Sequence, residues 1–301
     1  MYNPLPHGQK SSKRRITMFT YFTERKYEGD LPYTDLAMER HRVDTAIPGV
    51  EYTKENCSVG EWERIRICSK RGAQSIGRPM GLYHTLKTER MDMIIPRVKE
   101  DMMDEVASEL CCLFDLSDIF PGRILVAGLG NKNLTPDAIG SAAAEKVKPT
   151  IHIKEWDKRS FNKLNCAEIG VITPGVAATS GLDAAVVIKS LCDLIRPDAV
   201  IVIDALASRS ADRLGSTIQI CNSGISPGSG LGNPRLPISV ETVGVPVVAI
   251  GVPTVIDARV LCSSGNTSEH MFVSPKEINE IVSSSAEIIG GAINRAFGIY
   301  L

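Results

Sequence analysis

The sequence predicts an α/β protein built on a parallel sheet, and three stretches carry that expectation. Residues 123–148, RILVAGLGNKNLTPDAIGSAAAEKVK, read as a buried strand at 124–127, a tight Gly-Asn loop and a helix. Thr135-Pro136-Asp137 gives that helix an N-cap threonine, a proline at the first helical position and an acid in the first turn. Residues 199–204, AVIVID, form a second apolar run, preceded by a helical stretch at 180–195 that Arg196-Pro197 stops. Strand, helix and strand in that order imply a right-handed parallel crossover. Val247-Val-Ala-Ile250 is a third buried run, closing on Gly251-Val-Pro-Thr254.

Residues 1–30 differ from the rest. Lys10, Lys13, Arg14, Arg15, Arg25 and Lys26 make them basic, and Glu24 is the only acid before Glu28. They read either as a solvated leader or as a pro-segment removed later. Tyr33-Thr-Asp-Leu-Ala-Met-Glu39 follows, a short stretch that is extended or starts a helix at Thr34, without a capping box. Trp62-Glu-Arg-Ile-Arg-Ile-Cys68 alternates with period two, as a half-buried strand does, and Leu82-Tyr-His-Thr-Leu86 continues the pattern beyond a break at Ile76-Gly-Arg-Pro79. Val98, Met102, Val106, Leu110 and Phe114 then recur at a spacing of four, predicting a helix over 98–116.

Beyond the central helix, 150–153 and 168–172 read as short strands. The helix over 180–195 places Leu182, Val186, Leu191 and Ile195 on or near one face. Thr217-Ile-Gln-Ile220 precedes a glycine-rich loop at 223–233. Ser274-Pro-Lys-Glu277 has the form of a capping box opening a last helix that carries Ile278, Ile281, Ile288 and Ile289. No internal repeat is present.

Composition sets the outer bounds. A chain of 301 residues, 43% hydrophobic and 23% charged, can bury a substantial core. A net charge of -1 offers no electrostatic case for a nucleic-acid partner. No apolar run reaches the roughly 18 residues that a membrane span needs, and the amino terminus lacks an apolar signal core. The eight cysteines form no CxxC pair and read as small buried hydrophobes in a reducing compartment, the cytoplasm.

The chemistry-bearing candidates are two carboxylates, Asp137 and Asp204, each just past the carboxyl end of an apolar strand, where ligands collect in open α/β sheets. Two acids in one cleft push their pKa values apart, so that one can donate a proton while the other activates water. The plainer alternatives are that Asp137 complements a helix dipole and Asp204 caps a turn. Asn131 and Asn133 could join the acids around a hard metal ion. Gly128-Leu-Gly130 stands where a dinucleotide fingerprint would, but Asn133 replaces its third glycine. No G-x-S-x-G elbow is present.

At these same residues the chain resembles the germination protease family of spore-forming bacteria. The resemblance lies in residues 128–140, GLGNKNLTPDAIG; 204–209, DALASR; 217–220, TIQI; 227–233, PGSGLGN; and 244–258, including IGVPTVID at 250–257. It extends more loosely from about Tyr33 to the carboxyl terminus. Lys132 stands where the family has an aromatic residue, the leader is longer, and 257–274 is shortened.

The resemblance implies an endopeptidase that starts the degradation of small acid-soluble spore proteins during germination. It implies that Asp137 and Asp204 are the catalytic pair, with Asn131, Asn133 and Arg209 in support. It implies a zymogen that trims its own amino terminus between Asp35 and Leu36, within Thr34-Asp-Leu-Ala-Met-Glu39. That divides the chain into a pro-segment, 1–35, and one peptidase domain, 36–301. It also implies a homotetramer in the spore core, with no cofactor. The implied fold is a three-layer αβα arrangement with a mostly parallel central sheet and smaller β-rich additions, similar to hydrogenase-maturation proteases. A metal-dependent maturation-type peptidase on the same fold, and an α/β module binding an anion or nucleotide, are the alternatives.

Overall fold

The computed structural model describes residues 34–40, 47–114, 122–232, 235–261 and 271–299. The basic leader lies outside them. The strands are β1 (Val50–Cys57), β2 (Gly60–Ile67), β3 (Gly81–Lys87), β4 (Arg123–Gly128), β5 (Glu168–Ile172), β6 (Ala199–Ser208), β7 (Thr217–Cys221), β8 (Val247–Asp257) and β9 (Phe272–Val273). The helices are α1 (Lys70–Ile76), α2 (Pro96–Phe114), α3 (Ile139–Ala144), α4 (Ile151–Trp156), α5 (Lys158–Leu164), α6 (Ala177–Ser180), α7 (Ala184–Ile195), α8 (Val240–Val243) and α9 (Ile278–Ala296). No helix among the described residues is long and apolar enough to cross a membrane.

One sheet runs in the order β1-β2-β3-β7-β8-β6-β4-β5, with β9 added to β8. The predicted apolar runs form its parallel half, β8-β6-β4-β5. The β-rich additions continue the same sheet as antiparallel β7, β3, β2 and β1. Strand alternation divides the core into two layers. Ile124 and Val126 of β4 and Ile201 and Ile203 of β6 face a cluster with Met102, Val106 and Leu110 of α2 and Ile281, Ile288 and Ile293 of α9. Leu125, Val200 and Val202 face the opposite way, onto Ala185, Ile188 and Cys192 of α7. A third cluster sits under the antiparallel half, with Ile65, Ile67, Ile76 and Tyr83 packed on Ala37 and Met38.

Several local expectations are corrected. Thr135 is not an N-cap: Thr135–Asp137 forms its own 3-10 turn, without a side-chain cap, and α3 begins only at Ile139. The turn is tied to the sheet instead, because Thr254 Oγ1 donates to the Pro136 carbonyl at 2.6 Å. Residues 150–153 are not a strand. Thr150 alone pairs with β5, exchanging backbone and hydroxyl bonds with Ile169, and the chain then coils into α4. Leu182 and Val186 are exposed, since Asp183 caps α7 through Ala185 N–H and turns Ala185, Ile188 and Cys192 inward. The capping box at Ser274 does not form. Glu277 is the N-cap without a side-chain cap bond, and its carboxylate takes Arg90.

Two glycines set how closely the 3-10 turn and α3 approach the strand ends. A Cβ on Gly140 would fall 2.3 Å from the Ile203 carbonyl oxygen, and one on Gly128 would fall 2.1 Å from that of Gly140. Both obstacles are backbone and cannot swing aside. Gly140→Ala is therefore expected to destabilise the fold by about 1–3 kcal/mol in urea unfolding; unchanged stability would show that this contact is looser than drawn.

Candidate active site

The close glycine packing brings Asp137, in the turn after β4, to Asp204 on β6. Asp204 lies opposite Gly251 of β8, follows Val200 and Val202 on one face of its strand, and is only 6% exposed. Its carboxylate accepts the N–H of Ala205 at 2.9 Å. Burial holds its pKa well above the ordinary carboxyl value, and the neighbouring charges of Asp137 and Asp35 add to the rise. Asp137 is more open. Burial raises its pKa too, but the Asn131 N–H, donating to Oδ2 at 2.7 Å, opposes the rise. The two environments separate the acids in the sense expected of a donor and a base.

Gly130 explains the fingerprint-like Gly-Leu-Gly. Its φ is +90°, and a Cβ there would lie 1.9 Å from the Asp137 carbonyl oxygen. The glycine makes room for the returning Asp137 backbone rather than for a phosphate. Of the supporting candidates, Asn131 serves Asp137 through its backbone, while its side chain accepts the Asn133 N–H at 3.0 Å. Asn133 itself is exposed. Arg209 lies further along, where its N–H donates to Glu39 at 2.7 Å.

The segment Thr34–Glu39 docks on the far end of β6 as a short strap. Leu36 and Ala37 are fully buried. The Asp35 N–H donates to the Ala207 carbonyl at 2.9 Å, and the Ala207 N–H returns to Asp35 Oδ2 at 2.9 Å. Ser229 Oγ donates to Asp35 Oδ1 at 2.7 Å, with the Arg78 guanidinium 3.5 Å from the same oxygen. Arg78 also donates to the Thr34 carbonyl at 2.6 Å. Gln219 bridges the strap backbone: Nε2 donates to the Asp35 carbonyl at 3.2 Å, and Oε1 accepts the Ala37 N–H at 2.9 Å. Glu39 closes the strap. It accepts Ser208 Oγ at 2.5 Å, the N–H groups of Arg209 and Ser210, and the Thr34 hydroxyl. Thr34 Oγ1 in turn accepts the Leu36 N–H, so this threonine turns the strap without starting an α-helix.

The sequence reading missed Gln219, Arg78, Ser229, Ser208 and Glu39. One cue was present: Gln219 is the amide in Thr217-Ile-Gln-Ile-Cys221, a strand buried along its whole length. A cleft of about 410 Å³ opens beside the strap, lined by Asp35, Arg78, Tyr83, Leu206, Gln219 and Ser223 among others. Among the described residues, no group of three His, Cys, Asp or Glu side chains is gathered as a metal site would require.

The germination protease family model matches residues 33–267. A germination protease of Caldanaerobacter subterraneus subsp. tengcongensis is 38% identical over 258 residues, covering 84% of this chain and 76% of the relative. One from Clostridium perfringens is 33% identical, covering 87% of this chain and 94% of the relative. One from Clostridium tetani is 37% identical, covering 76% of this chain and 72% of the relative. Among solved structures, a NiFe hydrogenase maturation protease, HycI from Thermococcus kodakarensis, aligns with a TM-score of 0.36 and 21% identity over 60% of this chain and 97% of its own. By the extent of the family match and these identities, the chain belongs to the germination protease family.

Proposed function

We propose that this protease is an endopeptidase that cuts peptide bonds after an acidic residue with Asp137 and Asp204, first in its own chain between Asp35 and Leu36 and then in small acid-soluble spore proteins. The observation that carries the reading is the strap. The segment that the resemblance marks for self-cleavage lies against the strand that bears Asp204, near enough for the Asp35 charge to act on that carboxyl.

The unequal surroundings of the two acids support a division of work between them. Asp204, enclosed and crowded by neighbouring negative charge, keeps its proton. Asp137, more open and holding the Asn131 N–H, is the base. Asp137 takes a proton from water as the water oxygen bonds to the carbonyl carbon of the acidic residue. Gln219 Nε2, already on that carbonyl in the strap, offers a donor to the charge growing on its oxygen. The C–N bond then breaks as the Asp204 proton passes to the leaving nitrogen. The proton on Asp137 returns to Asp204 through solvent.

Intact mass, followed over hours at mildly acidic pH, is expected to fall by residues 1–35 in the wild type and to stay constant in Asp137→Asn. A variant that trims itself normally would remove Asp137 from the mechanism. In trans, Asp137→Asn and Asp204→Asn should each lower kcat/KM by about 10²–10⁴-fold, the usual weight of general acid–base catalysis. Peptide cleavage should persist in a chelator, whereas a metal-dependent peptidase would lose activity and regain it on adding metal.

The acid pair also carries a stability signature. A carboxyl whose pKa is higher folded than unfolded makes the folded chain bind more protons, so stability falls as pH rises from about 4 through the folded pKa. Asp204→Asn removes that loss. The variant should melt above the wild type at pH 7, with the gap closing by pH 4. A gap of equal size at both pH values would mean that Asp204 ionises as an ordinary acid.

A further inference from the structure

The glycine-rich loop after β7 is used by neither of the two catalytic acids, yet it forms one wall around the Asp35 carboxylate. Gly228 and Gly232 both adopt left-handed backbone, with φ of 74° and 72°, and frame a 3-10 turn over Ser229–Leu231. That turn delivers the Ser229 hydroxyl to Oδ1. It also presses Gly230 against the carboxylate so closely that a Cβ there would lie 2.0 Å from Oδ2. The opposite wall is β6 at Ala207, where the register with β8 shifts past Thr254 and the Ala207 N–H donates to Oδ2. Arg78 faces Oδ1 from the break after α1. Its Nε is buried without a hydrogen-bond partner among the described residues, so the guanidinium keeps unused donor capacity beside the cleft.

Three donors from three separate parts of the chain therefore converge on one carboxylate. They supply a backbone N–H, a hydroxyl and a cation. An amide in place of the carboxylate would turn its NH₂ toward at least one of them, leaving two donors opposed. The pocket is not sealed, because Asp35 and Arg78 both line the 410 Å³ cleft beside it.

We infer that Ser229, Arg78 and the Ala207 N–H form the subsite that selects an acidic side chain on the amino side of the cleaved bond, and that the strap's Asp35 occupies it as a substrate residue would. This inference rests on the proposed cleavage after Asp35 and adds the residues that impose the preference. Ser229 and Arg78 are specificity-determining residues. The reacting acids remain Asp137 and Asp204.

The test uses the full chain and two peptides in trans, one containing Thr-Asp-Leu-Ala-Met-Glu and one containing Thr-Asn-Leu-Ala-Met-Glu. The wild type is expected to favour the aspartate peptide by about 10–100-fold in kcat/KM, the weight of hydrogen bonds to a charged group. In Ser229→Ala the preference should shrink, and in Ser229→Ala combined with Arg78→Met it should fall to about threefold or less. The asparagine peptide should lose less than the aspartate peptide in each variant, because Arg78 also holds the threonine carbonyl that both peptides share. An unchanged preference, or an equal loss on both peptides, overturns the assignment.

A readout independent of turnover separates this inference from the cleavage reading. In an Asp137→Asn background, amide hydrogen exchange at Leu36 and Ala37 reports how tightly the strap is held. Ser229→Ala should speed that exchange by about 5–30-fold with Asp35 present and by about twofold or less when Asp35→Asn is already in place. Additive effects overturn the pocket whatever the activity. Coupled effects here, together with a wild type that cuts neither peptide, support the pocket and overturn the cleavage reading alone. Thermal melts of Ser229→Ala and Arg78→Met confirm that each variant is folded.

Discussion

Asp204 is held where water scarcely reaches it, at the point where β6 runs on past its last pairing with β4 and the 3-10 turn after β4 packs against it. A buried carboxyl resists ionisation, and a second acid beside it strengthens the resistance. The fold accepts that cost through backbone contacts that side chains could not make. Gly128 and Gly140 allow strand end and helix start to touch, Gly130 lets the Asp137 backbone turn back, and Thr254 ties the turn to β8 through the Pro136 carbonyl. Close contact excludes water, exclusion of water raises the Asp204 pKa, and the raised pKa is what makes a carboxyl a proton donor near neutral pH.

The strap is fastened by a different chemistry. Leu36, Ala37 and Met38 are drawn into the interior, and Ala37 and Met38 join the cluster beneath the antiparallel strands, worth roughly 1.5–3 kcal/mol for a fully buried large side chain. Burial of this kind holds a segment without specifying its register. Register comes from the polar contacts: the Gln219 amide reads the backbone at Asp35 and Ala37, while Asp35 and Glu39 each sit in a nest of donors on the β6 extension. The antiparallel half of the sheet thus supplies Gln219 and packs the strap, and the parallel half supplies Asp204. In the proposed reaction the two act on one peptide.

The sequence made the parallel half legible because its strands are continuous apolar runs, and buried parallel strands have that composition. Asp137 and Asp204 were legible for the same reason: Asp137 follows an apolar run, and Asp204 breaks one just past the last pairing of β6 with β4. Local rules failed where tertiary contacts outweighed them. Thr135-Pro-Asp has every mark of a helix start, yet Thr254 and Asn131 claim the turn's carbonyl and carboxylate from outside. Ser274-Pro-Lys-Glu looks like a capping box, yet Arg90 holds the glutamate. Gln219, Ser229 and Arg78 could not be grouped by spacing, because they converge only after β3, β7 and β8 pair across the sheet. The glycine-rich loop serves a side chain of the chain itself, with Ser229 donating to Asp35.

Asp35 and Asp204 are linked through their charges, and the linkage works in both directions. The strap's carboxylate raises the proton affinity of Asp204, so a proton on Asp204 must in turn strengthen the docking of the strap. Lower pH therefore favours the docked strap and the protonated acid together. Loss of the strap removes a negative neighbour of Asp204, and that change lowers its pKa. Any peptide that returned an acidic side chain to the same three donors would raise it again. An acid preceding the bond to be cut would then do more than fit a pocket. In the proposed reaction, its charge would keep the proton on Asp204, the group that delivers it.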